Sequence, residues 1–283
     1  MTRIFVIFNP AARGEKSQRL RQFLEAKQSA RVTLAPTQRV GEATQLAANA
    51  GPDDTIVAAG GDGTINEVVN GLNGRPLGIL ALGTVNVFAK ELRIPTNIEA
   101  AWRIIEAGQT RTIDLGCATV AGKERLFVQL AGVGFDARAV RAASWELKKK
   151  IGPLAYVWAG LKTLGETHAP VEGGAAIFIG NGRYYGGKFP LFPRAKLDDG
   201  LLDVCILEKT GILALCRYGP AILLGKHTGL RGVRYFQTTE LHCQSAEGTP
   251  CQLDGEDAGD IPVTFTVKPR ALRVIVGEQH HAR

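Results

Sequence analysis

The residues best suited to chemistry form a glycine-rich turn that follows four apolar residues, 56–59. The turn reads Gly60-Gly61-Asp62-Gly63-Thr64-Ile65-Asn66 and passes directly into a helical pattern. Glycines let the backbone approach a polyphosphate closely, and the N-terminus of the following helix directs N–H groups and a positive dipole at an anion. The Asp62 carboxylate could hold Mg²⁺ directly or through water. The pattern predicts a phosphate-binding loop, with an ordinary strand-to-helix turn as the alternative.

Two further turns could contribute to the same nucleotide site. Asn9-Pro10 follows the apolar residues 4–8, and Asn9 could bind a base, ribose or phosphate, although most Asn-Pro steps are only turns. Gly83-Thr84 follows another apolar run, and Thr84 is a suitable N-cap for a helix over residues 84–92. This second Gly-Thr element predicts either another wall for the nucleotide or a capped helix start without a ligand.

Two acidic turns lie late in the chain. In Asp254-Gly255-Glu256, either carboxylate could accept the proton of a hydroxyl that attacks a phosphoryl group, and the alternative is an Asp-Gly hairpin turn. In Asp198-Asp199-Gly200, oxygen ligands from Asp199 and nearby carbonyls could hold a hard cation away from the nucleotide, and the alternative is a solvated turn.

The elements that must position these residues alternate between strands and helices over the first hundred residues. Strands are predicted at 4–8, 31–34, 55–59 and 77–82, and helices at 17–27, 41–50, 64–73, 84–92 and 97–107. Such alternation predicts a doubly wound parallel sheet, in which ligands bind at the carboxyl ends of the strands. Those ends carry Asn9, Thr37, the 60–62 turn and Thr84, which could therefore line one crevice.

The remainder of the chain is predicted to form a second domain rich in antiparallel strands. Short strand-like runs at 111–120, 125–130, 175–179, 201–207, 240–244, 263–267 and 272–276 are separated by Gly, Pro and Asp turns. Helical insertions are predicted at 136–150 and 153–166. We therefore expect an α/β domain over residues 1–115 and a second domain over residues 116–283.

Composition narrows the function class. The chain of 283 residues carries a net charge of +7, which favours anionic partners: a nucleotide, a nucleic acid or an acidic membrane surface. Lysines 148–150 lie near Trp145, Tyr156 and Trp158, a pattern of either a lipid-headgroup surface or a solvated helix face. The five cysteines form no Cys-x-x-Cys and no apolar run has the length of a membrane span, so a reduced, cytoplasmic protein is expected.

Taken together, the motifs resemble the diacylglycerol kinase catalytic-domain family, and within it the bacterial soluble lipid kinases. Seven motifs occur in family order and span almost the whole chain. They begin at Asn9, Gly60, Gly83, Gly132, Asn181, Asp198 and Leu253.

The resemblance implies an ATP- and Mg²⁺-dependent transfer of the γ-phosphoryl group to a lipid hydroxyl. It implies an α/β N-terminal domain of the NAD kinase and phosphofructokinase type with a parallel sheet, a C-terminal β-sandwich domain, and an active site between them. The lipid, such as diacylglycerol, would be met at an anionic membrane by a cytoplasmic enzyme that associates peripherally during turnover. Nucleic acid is not an expected partner, and an exposed sandwich edge could pair with a second copy to give a homodimer.

The resemblance also assigns roles to residues. ATP would contact the set Asn9, Thr37, Gly60, Gly61, Asp62, Gly63, Thr64, Ile65, Asn66 and Thr84. Glu256 corresponds to the family's proton acceptor, with Asp254 as the other candidate base, and Asp62 would join the catalytic Mg²⁺ network. A second, structural metal position corresponds to Lys196, Asp199 and Leu201, where the lysine and leucine could serve only through backbone carbonyls.

One position departs from the family pattern. Several members carry an aspartate after the asparagine of the second Gly-Thr motif, where this chain has Val87. The departure leaves the Mg²⁺ geometry and the substrate subclass open. Two other functions are kept: an NAD kinase-like enzyme, which shares the Gly-Gly-Asp-Gly-Thr signal, and a regulator that binds nucleotide or lipid without turnover, which Val87 supports.

Overall fold

The computed structural model describes residues 3–10, 15–142, 174–244 and 248–277, and its contacts divide the chain into two compact units. Unit 1 combines Met1–Ile113 with Arg270–Arg283, and unit 2 is Asp114–Pro269. This division differs from the one expected at residue 115, because the C-terminal strand begins in unit 2 and ends in unit 1. The first unit is therefore built from two separate stretches of sequence.

Unit 1 is an α/β layer structure. Its strands are β1 (Ile4–Phe8), β2 (Val32–Pro36), β3 (Thr55–Gly60) and β4 (Leu77–Ala81), and its helices are α1 (Glu15–Lys27), α2 (Glu42–Asn49), α3 (Asp62–Gly71), α4 (Val87–Glu91) and α5 (Ile98–Ala107). Every residue of β3 is buried, as expected for a central strand covered on both faces. Helix α5 begins after Asn97, whose side chain accepts the Ala100 N–H at 2.8 Å, and ends at the left-handed Gly108.

The strands of unit 1 are parallel, in the order β2-β1-β3-β4, and the end of the last strand of the chain pairs with β4 through Val274 and Leu77. The last pairs in register join Phe8 to Pro36 and to Ala59. The carboxyl ends of the four strands therefore lie along one edge of the sheet. The predicted parallel α/β architecture is confirmed.

Unit 2 is built mainly from antiparallel strands. They are β5 (Thr110–Val120), β6 (Lys123–Phe127), β7 (Leu130–Gly134), β8 (Ala176–Gly180), β9 (Leu202–Leu207), β10 (Val233–Thr238), β11 (Glu240–Cys243), β12 (Pro250–Leu253), β13 (Glu256–Asp260) and β14 (Val263–Ile275). Two helices accompany them in the described part, α6 (Phe135–Ala142) and α7 (Ile212–Leu223), with a short 3₁₀ helix at His227–Gly229.

These strands form two layers. One sheet has the order β10-β9-β8-β7-β12-β13 with every neighbour antiparallel, and β14 pairs with β11 while β5 pairs with β6 in the other layer. A core of fully buried side chains lies between the layers and includes Phe127 and Phe265 from one and Ile177 and Val204 from the other. The predicted β-sandwich is confirmed.

Several boundaries differ from those predicted. The run expected as one strand at 125–130 is divided between β6 and β7, and the runs at 263–267 and 272–276 form the single strand β14. Helix α7 and the strands β10, β12 and β13 were not predicted. The helix expected at 153–166 and most of the one expected at 136–150 lie outside the described residues. Within the described residues, no helix has the length and apolarity to cross a membrane.

Candidate active site

Two glycine turns at the carboxyl ends of β3 and β4 lie directly against each other. The Cα atoms of Gly61 and Gly83 are so close that a Cβ added to Gly83 would lie 2.8 Å from the Gly61 Cα and 2.6 Å from the Asn86 Oδ1. The Leu82 N–H also donates to the Gly60 carbonyl at 2.9 Å. Side chains are therefore excluded from the junction, and the backbone of both turns is left to face a ligand.

Helix α3 opens toward the same junction. It begins at Asp62 behind Gly61, which has no side chain with which to cap the first turn. The Ile65 N–H already donates to the Gly61 carbonyl at 3.1 Å, so the earlier amides of the helix are the ones available to an anion. The Thr64 side chain fills the space where a Cβ on Gly60 would lie.

Asp62 joins the two turns. Its carboxylate accepts the Phe88 N–H at 3.4 Å, at the start of α4. Burial raises the pKa of Asp62, whereas the backbone N–H groups of Val87, Phe88 and Asn86 and the charge of Lys90 act to lower it. Val87 thus serves Asp62 through its backbone, although its side chain cannot bind a cation.

Asn86, rather than the predicted Thr84, is the N-cap of α4. It adopts the left-handed conformation (φ 51°) and donates from its side chain to the Gly83 carbonyl at 2.5 Å, whereas Thr84 is exposed. Asparagine tolerates this conformation better than threonine, which accounts for the shift. Its side-chain oxygen is buried and has no hydrogen-bond partner. Oxygens such as those of Asp62 and Asn86 are the ligands that Mg²⁺ prefers.

The other residues predicted to contact ATP differ in position and in exposure. Asn9 is exposed after β1, and Thr37 follows β2, where its N–H and hydroxyl both donate to the Phe8 carbonyl at 2.9 and 3.4 Å. The side chains of Ile65 and Asn66 are buried in α3, and the Asn66 Oδ1 accepts from Asn70 at 3.2 Å. Their contact with ATP stays a prediction.

In unit 2, the tight turn between β12 and β13 carries the late Asp-Gly-Glu motif. Asp254 (φ 49°) and Gly255 (φ 85°) are both left-handed, as a two-residue hairpin turn requires. The Asp254 carboxylate accepts three backbone N–H groups, from Val128 at 2.7 Å and from Gln129 and Leu130 at 3.0 Å each. Asp254 therefore anchors the hairpin to the segment before β7.

Glu256 has a different environment from Asp254. Its carboxylate lies 3.7 Å from the Arg125 guanidinium, and both side chains remain 38% exposed. An ion pair at this distance and exposure is weak and leaves the carboxylate accessible. Of the two candidate bases, Glu256 is the one whose oxygens a substrate hydroxyl could reach.

A buried polar network supports the hairpin, and no role was predicted for its residues. Asp136 is buried in α6 and accepts hydrogen bonds from the Tyr185 hydroxyl and, at 2.6 Å, from the Gln252 side chain. The Gln252 Oε1 in turn accepts the Gly255 N–H at 2.7 Å. Burial raises the pKa of Asp136, while its two donors act in the opposite direction. The network fixes the turn immediately before Glu256.

The predicted structural metal residues share one loop before β9. The Leu201 N–H donates to the Asp199 carboxylate at 3.2 Å, and burial raises the Asp199 pKa, with Asp114 adding to the rise and Lys196 opposing it. Asp114, which was not predicted, is buried and accepts the Gly200 N–H at 2.7 Å. Among the residues that the structure describes, no three His, Cys, Asp or Glu side chains are grouped as metal ligands.

The fold and these motifs define a two-part kinase-like molecule, and comparisons with known proteins identify its family. Residues 3–118 match the family model described as "Diacylglycerol kinase catalytic domain", and residues 129–276 match "YegS C-terminal NAD kinase beta sandwich-like domain". A "Diacylglycerol kinase" of Staphylococcus aureus (strain bovine RF122 / ET3-1) is 31% identical, with 95% of this chain and 90% of that protein covered. A "Probable lipid kinase YegS-like" of Pseudomonas aeruginosa (strain UCBPP-PA14) is 39% identical, with 78% and 76% covered.

The chain belongs to the diacylglycerol kinase family of lipid kinases, which confirms the resemblance seen in its motifs. Solved structures agree with the fold. A diacylglycerol kinase from Bacillus anthracis str. Sterne has a TM-score of 0.73 at 24% identity, with 97% of each chain covered. An NAD kinase from Archaeoglobus fulgidus has a TM-score of 0.52 at 11% identity, with 97% of this chain and 94% of that chain covered.

Proposed function

We propose that the protein transfers the γ-phosphoryl group of ATP to the hydroxyl of a membrane lipid such as diacylglycerol. The observation that carries the proposal is the paired glycine turns of unit 1, which expose backbone and a helix N-terminus to an anion, in a chain that belongs to the lipid kinase family. The exposed carboxylate of Glu256 on an anchored hairpin supports the same reaction.

The nucleotide phosphates bind at the two glycine turns. The first amides of α3 and the backbone of Gly61 and Gly83 surround the anion, and Asn9, Thr37 and Thr84 lie on neighbouring strand ends. Asp62 and the partnerless Oδ1 of Asn86 fit a Mg²⁺ ion and would hold it beside the phosphates. When bound, the cation neutralises charge on the phosphate oxygens.

Glu256 accepts the proton of the attacking lipid hydroxyl. As the hydroxyl oxygen forms its bond to the γ-phosphorus, the bond from that phosphorus to the bridging oxygen breaks and ADP departs. Asp254 holds the hairpin rather than the proton, because its oxygens are already occupied by three N–H groups. The loop that carries Lys196, Asp199 and Leu201 could hold a structural cation and has no role in the transfer itself.

A transfer assay tests the proposal. Radiolabelled ATP and Mg²⁺ are incubated with a panel of hydroxyl lipids in mixed micelles, with NAD as a separate acceptor. We expect label in one organic-phase product, which also names the lipid. Label in NAD would replace the proposal with the NAD kinase alternative. Retained ATP binding without transfer to any acceptor would favour a regulator.

The proposed reaction also implies what the enzyme must bind besides ATP. The substrate resides in a membrane, so the enzyme must associate with the bilayer peripherally during turnover, and an anionic surface suits the net charge of +7. The surface predicted around lysines 148–150, with Trp145, Tyr156 and Trp158, lies outside the described residues. Pairing with a second copy stays a prediction, as does a cytoplasmic location.

A further inference from the structure

The outer face of α7 is apolar although it faces solvent. Its inner face packs on unit 2, where Tyr218 is buried and Ile222 contacts the cluster around Phe178. The large outward side chains of α7 and of its C-cap, Leu224, are strongly exposed: Leu213 by 88%, Leu224 by 70%, Ile212 by 67%, Leu223 by 57% and Leu215 by 54%. A helix that packs on a protein normally turns polar side chains outward, so this face requires a partner.

A loop at the C-terminal end of α7 extends the same apolar surface. The loop contains Pro190 and packs against Gly225, which lies just after α7: a Cβ added to Gly225 would lie 3.5 Å from the Cγ of Pro190. Phe189, the preceding residue, is 42% exposed. Lys188 beside it is exposed as well. We call the outer face of α7 together with Phe189 the α7 surface.

The charges around the α7 surface are mostly positive, and the exception is Glu208, which is exposed directly before Lys209. From Lys209 to Phe236 the sequence contains no aspartate or glutamate. The same stretch contains five lysine and arginine residues, all exposed: Lys209, Arg217, Lys226, Arg231 and Arg234. An apolar helix face flanked mostly by cations matches the boundary of an anionic bilayer, where acyl chains lie beneath a layer of phosphates.

We propose that the α7 surface docks the protein onto an anionic membrane, with the helix lying in the plane of the interface. At 12 residues α7 is too short to span the hydrocarbon core, which needs about 20. A second copy is a poorer occupant, because a two-fold contact would bring each set of cations against its own copy. Docking depends on the proposed lipid kinase function for its purpose, since it would bring the enzyme to its substrate.

The chain contains a natural reporter for this contact. Cys216 is exposed on the outer face of α7, whereas the other four cysteines are buried. A polarity-sensitive thiol dye should therefore attach at Cys216 selectively. The labelled full chain is titrated, without nucleotide, with phosphatidylcholine vesicles that contain or lack phosphatidylglycerol. We expect a blue-shifted, brighter emission with the anionic vesicles, weakened by added salt.

Unlabelled variants then test which residues carry the binding, measured by vesicle co-sedimentation. Leu213→Ser combined with Leu224→Ser should weaken binding about tenfold or more, because two exposed apolar side chains no longer enter the interface. Lys226→Glu should weaken binding to anionic vesicles about fivefold or more. The matched controls are Val40→Ser, at a site 83% exposed in unit 1, and Arg103→Glu on α5, and both should bind as the wild type does.

Three results would overturn the proposal: no emission change with anionic vesicles, equal binding by wild type and the leucine variant, or a wild-type dimer that this variant converts to monomer while vesicle binding is unchanged. Failure of docking can be separated from failure of the proposed function. Binding is measured without ATP, and a short-chain, water-soluble diacylglycerol reports phosphoryl transfer without a membrane. The leucine variant should keep that soluble activity and lose activity on vesicles.

Discussion

Replacement of Asp254 by asparagine should destabilise unit 2, because Asp254 is an anchor rather than a base. Asparagine keeps the size of the side chain and tolerates the left-handed backbone at this turn (φ 49°). One carboxylate oxygen accepts the N–H groups of Gln129 and Leu130, and the other accepts the N–H of Val128. In the variant, the amide NH₂ takes the place of one carboxylate oxygen. At least one backbone N–H then faces a donor instead of an acceptor.

The size of the effect follows from this geometry. One charge-assisted hydrogen bond is lost and a buried N–H is left without its acceptor, so we expect a loss of about 2–4 kcal/mol in the free energy of unfolding. In a unit of this size that corresponds to a drop of about 5–15 °C in Tm. Glu256→Gln changes a partly exposed side chain whose ion pair with Arg125 is weak, and its Tm should stay within about 2 °C of the wild type.

Differential scanning calorimetry of the three proteins, with transfer activity measured on the same samples, separates the two roles. The asparagine variant at position 254 should unfold early, and the glutamine variant at position 256 should unfold normally but lose turnover. An Asp254→Asn variant with the Tm of the wild type and no activity would refute the anchoring role of Asp254. In that case Asp254 would act chemically, and the hairpin would not depend on its hydrogen bonds.

Three other predictions follow from single contacts. Gly83→Ala should abolish nucleotide binding in calorimetric titrations because its Cβ would strike the facing turn, whereas Gly229→Ala, which has open space, should bind normally; equal affinities would contradict this. Gln252→Met should lower kcat about tenfold while KM for ATP is unchanged, because the Gly255 N–H loses its acceptor; a change in KM alone would argue otherwise. Burial lowers the pKa of His227 below its usual 6.5, so the unfolded chain binds more protons than the folded chain, and the folded state loses stability as the pH falls through about 6.5. The Tm of the wild type relative to that of His227→Gln should therefore fall between about pH 7.5 and about pH 5.5. A difference in Tm that stays constant over this range would contradict the prediction.

The α/β part of the fold was predictable because its signals are local. Each central strand is a short apolar run that ends in a turn, and every residue of β3 is buried. Helix α7 was missed because Gly211 precedes it and Pro220 lies inside it, and both residues are read as helix breakers. The sequence also placed a break between two runs at Pro269, where β14 continues through the left-handed Arg270.

The candidate site divides in the same way. The glycine turns and Asp62 are recognisable within a few residues of sequence, because a phosphate site is built from backbone N–H groups and a helix N-terminus. The roles of Asp254 and Glu256 could not be separated by sequence, because they depend on hydrogen bonds from residues more than a hundred positions away. The hydrogen bond from Gln252 to Asp136 could not be predicted for the same reason, because the two residues are 116 positions apart.

The central claim is that the glycine turns hold ATP while Glu256 takes the proton from a lipid hydroxyl. Its most direct test is single-turnover transfer of labelled phosphate to diacylglycerol by the wild type, Glu256→Gln and the exposed-carboxylate control Glu240→Gln, with ATP affinity measured on the same preparations. We expect all three proteins to bind ATP alike, and only Glu256→Gln to lose transfer, by about a hundredfold or more. Wild-type transfer rates in Glu256→Gln would contradict the claim.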